Sequence, residues 1–321
     1  MLAGVVISNQ QELDDLYRDR FPNQSFSLNV PNSIREATKI FSFIVFYKEL
    51  FRIFSRANAT HILVPMHHPW MAITLALLPS RIHVISIIHD AIPHEGDNKY
   101  FAKLFNLIIC RYSWATLFLS EFQRKYQLTQ AFCKNSKTGL IRHPSFRHYV
   151  EKFSGREVEE TESFDFVFFG RLEPYKGLNL LIDAFKVVRL MKSNATLLIA
   201  GRPGKDFIRV GIESPGVQID ARYIPDDEVP AVIQRGRVVV LPYLTATQSG
   251  VMTVASDFGR VCVSTPLSGL KEQAEYTGHV YFADQLTPVS LAKAMTSAFN
   301  APVIKAKVIE SGINDYLTMN I

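Results

Sequence analysis

FVFFGRLEPYKGLNLLIDAF, residues 166–185, decides the fold. Apolar residues run without a break into Gly170, a short loop presents Arg171 and Lys176, and apolar residues then recur at helical spacing, with Leu180, Leu181, Ala184 and Phe185 as the expected buried face. This is a strand, a tight loop and a helix in succession, one half of a βαβ unit. The same short run closed by Gly, Pro or Asp recurs as THILVPM (60–66), RIHVISIIHD (81–90), ATLFLS (115–120), FDFVFFG (164–170), ATLLIAG (195–201), RVVVLPY (237–243) and RVCVSTP (260–266). Runs of about five residues rich in Val, Ile and Phe read as buried parallel strands. The expected class is α/β with doubly wound parallel sheets.

A chain of 321 residues exceeds one typical core and suits two domains. The polar, charge-rich text from Arg142 to Ser163 interrupts the strand pattern where two equal halves would meet, so the linker is expected there, with domains at 1–150 and 151–321. Each half then has its own strands, and ligands are expected at the carboxyl ends of both sheets, in the crevice between the halves.

An apolar fraction of 47% and a charged fraction of 20% exclude disordered and fibrous classes. The net charge of +5 is uneven: residues 1–150 hold 17 Lys+Arg against 10 Asp+Glu, or +7, and the remainder 18 against 20, or −2. A basic first half can steer toward anionic partners such as membrane surfaces or phosphorylated lipids. From Ile40 to Arg56 a helix is expected with Ile40, Phe43, Ile44, Tyr47, Leu50, Phe51 and Phe54 on one stripe and Lys48, Arg52 and Arg56 on a basic row. Such a helix packs on a sheet or lies in a membrane interface. Cys110, Cys133 and Cys262 are odd in number and far apart, as reduced thiols in a cytoplasm are. The first residues lack the basic and apolar regions of a secretory signal, and no apolar run approaches the roughly 20 residues of a membrane span.

A second loop competent for anions lies in VVVLPYLTATQSGVMTVASDFGRVCVSTPLSGLKE, residues 238–272. A buried strand ends near Pro242, the polar loop Thr245 to Gly250 follows, and a helix is expected from Val251 to Phe258. Gly250 at its start lets backbone amides approach an anion without a Cβ in the way. Arg171 and Lys176 beside one helix start, with Gly250 at another, suit a diphosphate gripped from two sides.

These residues resemble the donor-binding domain of the family 4 glycosyltransferases, retaining enzymes of the GT-B fold. The resemblance rests on G-R-L-x-x-x-K-G at Gly170 to Gly177, on ATLLIAG, on YIPDDEVPAVIQRGRVVVLPY, and on the S-G-V…G…V-x-x-T…G-L-x-E run ending at Glu272. It covers most of residues 164–295 and extends more weakly to VISIIHDAIPHEG (84–96) and FLSEFQRKYQ (118–127). It implies two Rossmann-like domains, the first for the acceptor and the second for a nucleotide-diphosphate-sugar donor. Arg171 and Lys176 would neutralise the leaving diphosphate, the amides of Ser249 and Gly250 would bind its distal phosphate, and Gly170, Thr247, Gln248 and Val251 would complete the donor loops. His89 would act near the reacting carbon, with Asp90 and His94 as sugar or acceptor contacts.

Two glutamates, eight positions apart in many relatives, are absent: Thr247 stands at the first position and Val254 or Ala255 at the second. Gln248 can hydrogen-bond sugar hydroxyls in place of a carboxylate but carries no charge. The glycine-rich first loop of many relatives is also missing. No Asp-x-Asp metal motif appears near a strand end, and Asp226-Asp227-Glu228 reads as a helix opening. The expectation is therefore a metal- and cofactor-independent hexosyltransferase in the cytoplasm, peripheral on the inner face of its membrane. It would serve lipopolysaccharide or exopolysaccharide assembly on a saccharide or polyprenyl-diphosphate-linked acceptor, with no nucleic-acid partner. The alternatives are a catalytically silent sugar-nucleotide- or carbohydrate-binding subunit and, behind it, a nucleotide-sugar 2-epimerase.

Overall fold

The computed structural model describes residues 5–8, 25–28, 40–65, 69–92, 99–130, 137–143, 145–146, 163–204, 207 and 214–302. Two compact units divide the chain, changing over between Gly139 and Leu140, with Leu119–Gln123 grouping with the second. Of the expected linker, Arg142, His143, Ser145 and Phe146 belong to the second unit; Pro144 and residues 147–162 lie outside the described residues.

In the first unit, β1 (Val5–Ser8) and β2 (Ser25–Leu28) form a parallel pair. A four-stranded sheet runs in the order β3 (His61–Val64), β4 (His83–Ile88), β5 (Ala115–Phe118) and β6 (Lys137–Leu140). Its crossovers carry α2 (Pro69–Leu75), α3 (Lys99–Tyr112) and α4 (Glu121–Leu128), after α1 (Ile40–Arg56) has preceded β3. The core joins Phe46, Leu50, Ile53 and Phe54 of α1 to Trp70 of α2 and to Val84 and Ile88 of β4. Trp70 makes ring contacts with Phe43 and Phe46 at 5.9 and 5.4 Å.

The buried face of α1 is rotated from the expected stripe: Phe46 and Ile53 replace Ile44, which is 42% exposed, and Tyr47 and Phe51 are only half-buried. Apolar residues occupy so much of this helix that periodicity alone does not single out the face meeting the sheet. Lys48, Arg52 and Arg56 face solvent as expected.

The second unit holds a six-stranded, all-parallel sheet in the order β12-β11-β10-β7-β8-β9. Here β7 is Phe164–Phe169, β8 Leu197–Ala200, β9 Val217–Asp220, β10 Gly236–Leu241, β11 Val261–Ser264 and β12 Val280–Phe282. The chain builds outward from β7 to β9, returns to the other side of β7 with β10, and builds outward again to β12. Strand order therefore reverses between β7 and β10, the place where open α/β sheets bind ligands beyond the strand ends.

The connecting helices are α5 (Leu178–Met191), α6 (Val229–Gln234), α7 (Gly250–Asp257), α8 (Ser268–Thr277) and α9 (Pro288–Phe299). Phe166, Val167 and Phe168 of β7, Leu197 to Ile199 of β8 and Val238 to Leu241 of β10 are almost fully buried, as strands covered on both faces require. On α5 the expected Leu181, Ala184 and Phe185 are buried together with Leu178, Ile182 and Val188, whereas Leu180 is half-buried. Cys110 and Cys262 are buried and form no disulfide among the described residues; Cys133 lies outside them.

Candidate donor site

At the order reversal, the loop after β7 and the loop after β10 are joined by their backbones. The chain leaves β7 through Gly170, whose φ of 145° is closed to ordinary side chains, and Gly201 at the end of β8 repeats that angle. A Cβ on Gly201 would stand 1.8 Å from the Gly170 carbonyl oxygen, so the ends of β7 and β8 meet through glycine alone. A single 3-10 turn, Pro174–Lys176, leads into α5 through Gly177, which has φ 72° and ψ 32°. A Cβ on Gly177 would lie 1.9 Å from the carbonyl oxygen of Pro242, at the end of β10. Two residues on, the Leu244 amide donates to the Tyr175 carbonyl at 2.8 Å.

This contact sets both cations. Arg171 is exposed, and its guanidinium donates to the Tyr175 hydroxyl at 2.8 Å. Burial raises the Tyr175 pKa, partly offset by the nearby Arg171 charge, so the phenol stays neutral. Lys176 is half-buried, with Nζ 3.6 Å from the ring centroid of Tyr243 and 5.2 Å from that of Tyr175. Stacking on two tyrosine faces holds a flexible ammonium in place without neutralising it. Tyr243 is fully buried, and its carbonyl accepts from the Thr265 hydroxyl at 2.6 Å.

The second loop delivers the chain to the start of α7. Ser249 caps this helix, its Oγ accepting from the Met252 amide at 3.3 Å. Gln273 of α8, 2% exposed, fixes the cap residue from the far side. Its Oε1 accepts from the Ser249 amide at 2.7 Å, and its Nε2 donates to the Ser249 carbonyl at 2.8 Å and to Thr253 Oγ1 at 3.0 Å. The Ser249 amide, expected on the distal phosphate, thus donates to Gln273. Gly250 and Val251 open the helix, and their amides have no intrahelical acceptor. Thr247 is buried, and Gly269 packs so closely that its Cβ would be 2.2 Å from the Thr247 carbonyl oxygen. Gln248 places a buried Oε1 in the same loop that meets no donor among the described residues. Gly170, Arg171, Lys176 and the Thr247–Val251 loop are therefore together at one end of the sheet.

His89 and Asp90 belong to the first unit, just beyond β4. His89 Nε2 lies 2.8 Å from the Pro65 carbonyl oxygen. A carbonyl only accepts, so Nε2 carries a proton in this contact. Asn106 of α3 donates to the Asp90 carbonyl at 3.0 Å and braces this strand end. His94 lies outside the described residues. Glu228 stands before α6 as expected but makes no side-chain cap; it pairs with Arg222, which lowers its pKa, and Arg222 also reaches Asp220 at 3.0 Å. The residues missed in sequence are Tyr175, Tyr243 and Gln273, each of which holds a loop rather than offering a charge.

A sheet of order 3-2-1-4-5-6 with two cations and a helix start at its reversal has the layout in which open α/β sheets bind ligands beyond their strand ends. Residues 163–301 match the family of Glycosyl transferases group 1. The match takes in every strand and helix of the second unit described here. GDP-mannose:glycolipid 4-beta-D-mannosyltransferase of Xanthomonas campestris pv. campestris is 28% identical over 145 residues, covering 42% of this chain and 41% of the relative. The match thus spans about two fifths of that relative's length.

Among solved structures, an α,α-trehalose-phosphate synthase (UDP-forming) from Burkholderia xenovorans superposes with a TM-score of 0.59 at 10% identity, covering 85% of this chain and 73% of that one. A glycosyltransferase from Rickettsia africae gives 0.60 at 12% identity, covering 92% and 80%. The chain has the GT-B fold, with two Rossmann-like parallel-sheet units. These findings support a glycosyltransferase.

Proposed function

We propose that this protein transfers a sugar from a nucleoside-diphosphate sugar to a saccharide acceptor, with Arg171 and Lys176 as its electrostatic catalysts. The observation that carries the proposal is the joining of the two loops at the reversal of strand order, which brings both cations and the start of α7 to one strand end. Departure of the nucleoside diphosphate builds negative charge on its distal phosphate while positive charge develops on the sugar. Fixed cations and amides stabilise charge that grows in the transition state, which allows metal-independent departure. From the likeness to family 4, His89 is the residue proposed to act on the sugar, and Gln248 Oε1, which meets no donor among the described residues, is an acceptor for a sugar hydroxyl.

The relatives' name, a glycolipid mannosyltransferase using GDP-mannose, supports a hexosyl donor and a lipid-linked acceptor; the pathway proposed from the likeness to family 4 is bacterial cell-surface polysaccharide assembly. The first unit carries features suited to that acceptor. Phe41, Ile44 and Val45 project from the solvent side of α1 beside Lys48, Arg52 and Arg56, and Tyr100, Phe101 and Leu104 are exposed on α3. Exposed aromatic and aliphatic residues next to basic ones suit peripheral contact with an anionic membrane from the cytoplasmic side. Among the described residues, no helix is long and apolar enough to cross a membrane.

Retention of anomeric configuration is the stereochemical proposal, from the likeness to family 4. The β-linkage in the relatives' name favours a second reading, because an α-linked donor yields a β product by inversion. The missing glutamates favour a third, a silent sugar-nucleotide-binding subunit. A panel of nucleotide sugars tests all three. Ligand-induced stabilisation, about 2.7 kcal/mol at 100 times the dissociation constant, selects the donor; NMR of the product then reads its anomeric configuration. Binding without release of nucleoside diphosphate or product would favour the silent subunit and count against transfer.

A further inference from the structure

Glu173 stands between the two cations of the first loop and pairs with neither: the Arg171 guanidinium donates to the Tyr175 hydroxyl, and Lys176 stacks on tyrosine rings. It precedes the 3-10 turn at the position of a capping residue, yet its side chain makes no capping bond. Among the described residues this half-buried carboxylate meets no hydrogen-bond donor.

Its surroundings leave it room. The loop after β8 is tied to the first loop by backbone, the Leu172 amide donating to the Arg202 carbonyl at 2.8 Å and the Gly204 amide to the Leu172 carbonyl at 3.2 Å. The Glu173 carboxylate lies on Gly204: a Cβ there would come within 2.6 Å of its carboxyl carbon and 2.8 Å of either oxygen. A side chain at 204 would displace the carboxylate, and glycine keeps the place open for it. A carboxylate beside two cations works against a bound diphosphate, so holding phosphate does not account for it.

In sheets of this strand order that hold dinucleotides, a carboxylate near the phosphate loop takes the ribose 2′-hydroxyl. Here β8 leads into Gly201, Arg202, Pro203 and Gly204, which include no acid. Glu173, lying across from the first loop, supplies one at that strand end. The two oxygens of a carboxylate, acceptors only, match the paired hydroxyls of a ribose.

We propose that Glu173 binds the ribose of the donor nucleotide through its 2′- and 3′-hydroxyls and makes the site selective for ribonucleotides. This rests on the reading of the loops around Arg171, Lys176 and Gly250 as a donor diphosphate site. It gives Glu173 a signature unlike that of the cations, favouring the ribose and opposing the phosphates.

Calorimetric titration of the full chain with GDP, UDP, ADP, their 2′-deoxy counterparts and inorganic pyrophosphate reads that signature. With whichever base the wild-type protein prefers, the ribonucleotide binds about tenfold tighter than the deoxynucleotide, the scale of a hydrogen bond to a charged group. Glu173→Ala removes this preference by losing ribonucleotide affinity, and binds pyrophosphate at least as tightly as the wild type does. Glu173→Gln, which keeps an acceptor without the charge, falls between. Gly204→Ala, which retains the carboxylate but moves it, lowers the preference as well. A wild-type protein indifferent to the 2′-hydroxyl, or a preference unchanged in Glu173→Ala, overturns the inference and leaves the donor-site reading intact. A wild-type protein that binds none of the three nucleoside diphosphates overturns both.

Discussion

Replacing Gln273 by alanine removes three hydrogen bonds from a side chain that is 2% exposed, and two of them belong to the backbone of the residue that caps α7. The Ser249 amide is left buried without its partner, at a cost of about 1–3 kcal/mol, and the Ser249 carbonyl keeps only the long 3.4 Å bond from the Thr253 amide, both losses partly relieved where water enters the vacated volume. The expected destabilisation is about 3 kcal/mol, read by urea denaturation of the second unit. The start of α7 is fixed by the same clamp, so the affinity for nucleoside diphosphate falls about tenfold alongside. Gln273→Glu separates the two effects. A carboxylate still accepts from the Ser249 amide but cannot donate to its carbonyl, and its negative charge sits behind the amides proposed to face phosphate. It should therefore lose less stability than alanine but at least as much diphosphate affinity. A Gln273→Ala protein destabilised by less than about 0.5 kcal/mol, within the range of ordinary surface substitutions, would refute the argument that this side chain holds the loop.

Three further outcomes follow from the geometry. Gly177→Ala combines a left-handed backbone with a Cβ 1.9 Å from the Pro242 oxygen, so it should cost on the order of 3 kcal/mol in denaturation and separate the two loops. Burial raises the Asp257 pKa in the folded state, so its contribution to stability is fullest below about pH 4 and declines as pH rises through the folded value. Wild-type stability relative to Asp257→Asn should accordingly fall with rising pH over that window and level off above it; a difference that grows instead would contradict the direction. Burial pushes the Cys262 thiol up to about 12 and Cys110 is 1% exposed, so in a Cys133→Ser background an aromatic disulfide reagent at pH 8 should find no reactive thiol until the protein is unfolded.

What the sequence makes legible follows from how local each signal is. The buried strands β4, β5, β7, β8, β10 and β11 announce themselves as apolar runs, because covering a strand on both faces leaves no polar alternation, and β3 reads the same way although it ends its sheet with Leu63 exposed. The strands that escape notice include β6, β9 and β12, which close the ends of their sheets, short and only partly buried. Arg171, Lys176 and Gly250 are readable because charge and glycine lie beside a strand end within a few residues. Gln273 is not: its partner Ser249 is 24 positions away, and a glutamine in an amphipathic helix carries no sign of which backbone it meets. The hold of Asp257 on Ser145 and Phe146 escapes for the same reason, since a polar segment ahead of a domain reads as a linker until the carboxylate that holds it is located in space.

The central claim is that Arg171 and Lys176 stabilise a departing diphosphate, and single-turnover release of nucleoside diphosphate from the preferred nucleotide sugar tests it most directly. Arg171 is exposed and Lys176 half-buried, so Arg171→Ala and Lys176→Ala should fold with little loss of stability. Each should slow release about 100-fold or more, a few kcal/mol of barrier. Folded variants that release nucleoside diphosphate at the wild-type rate would contradict it.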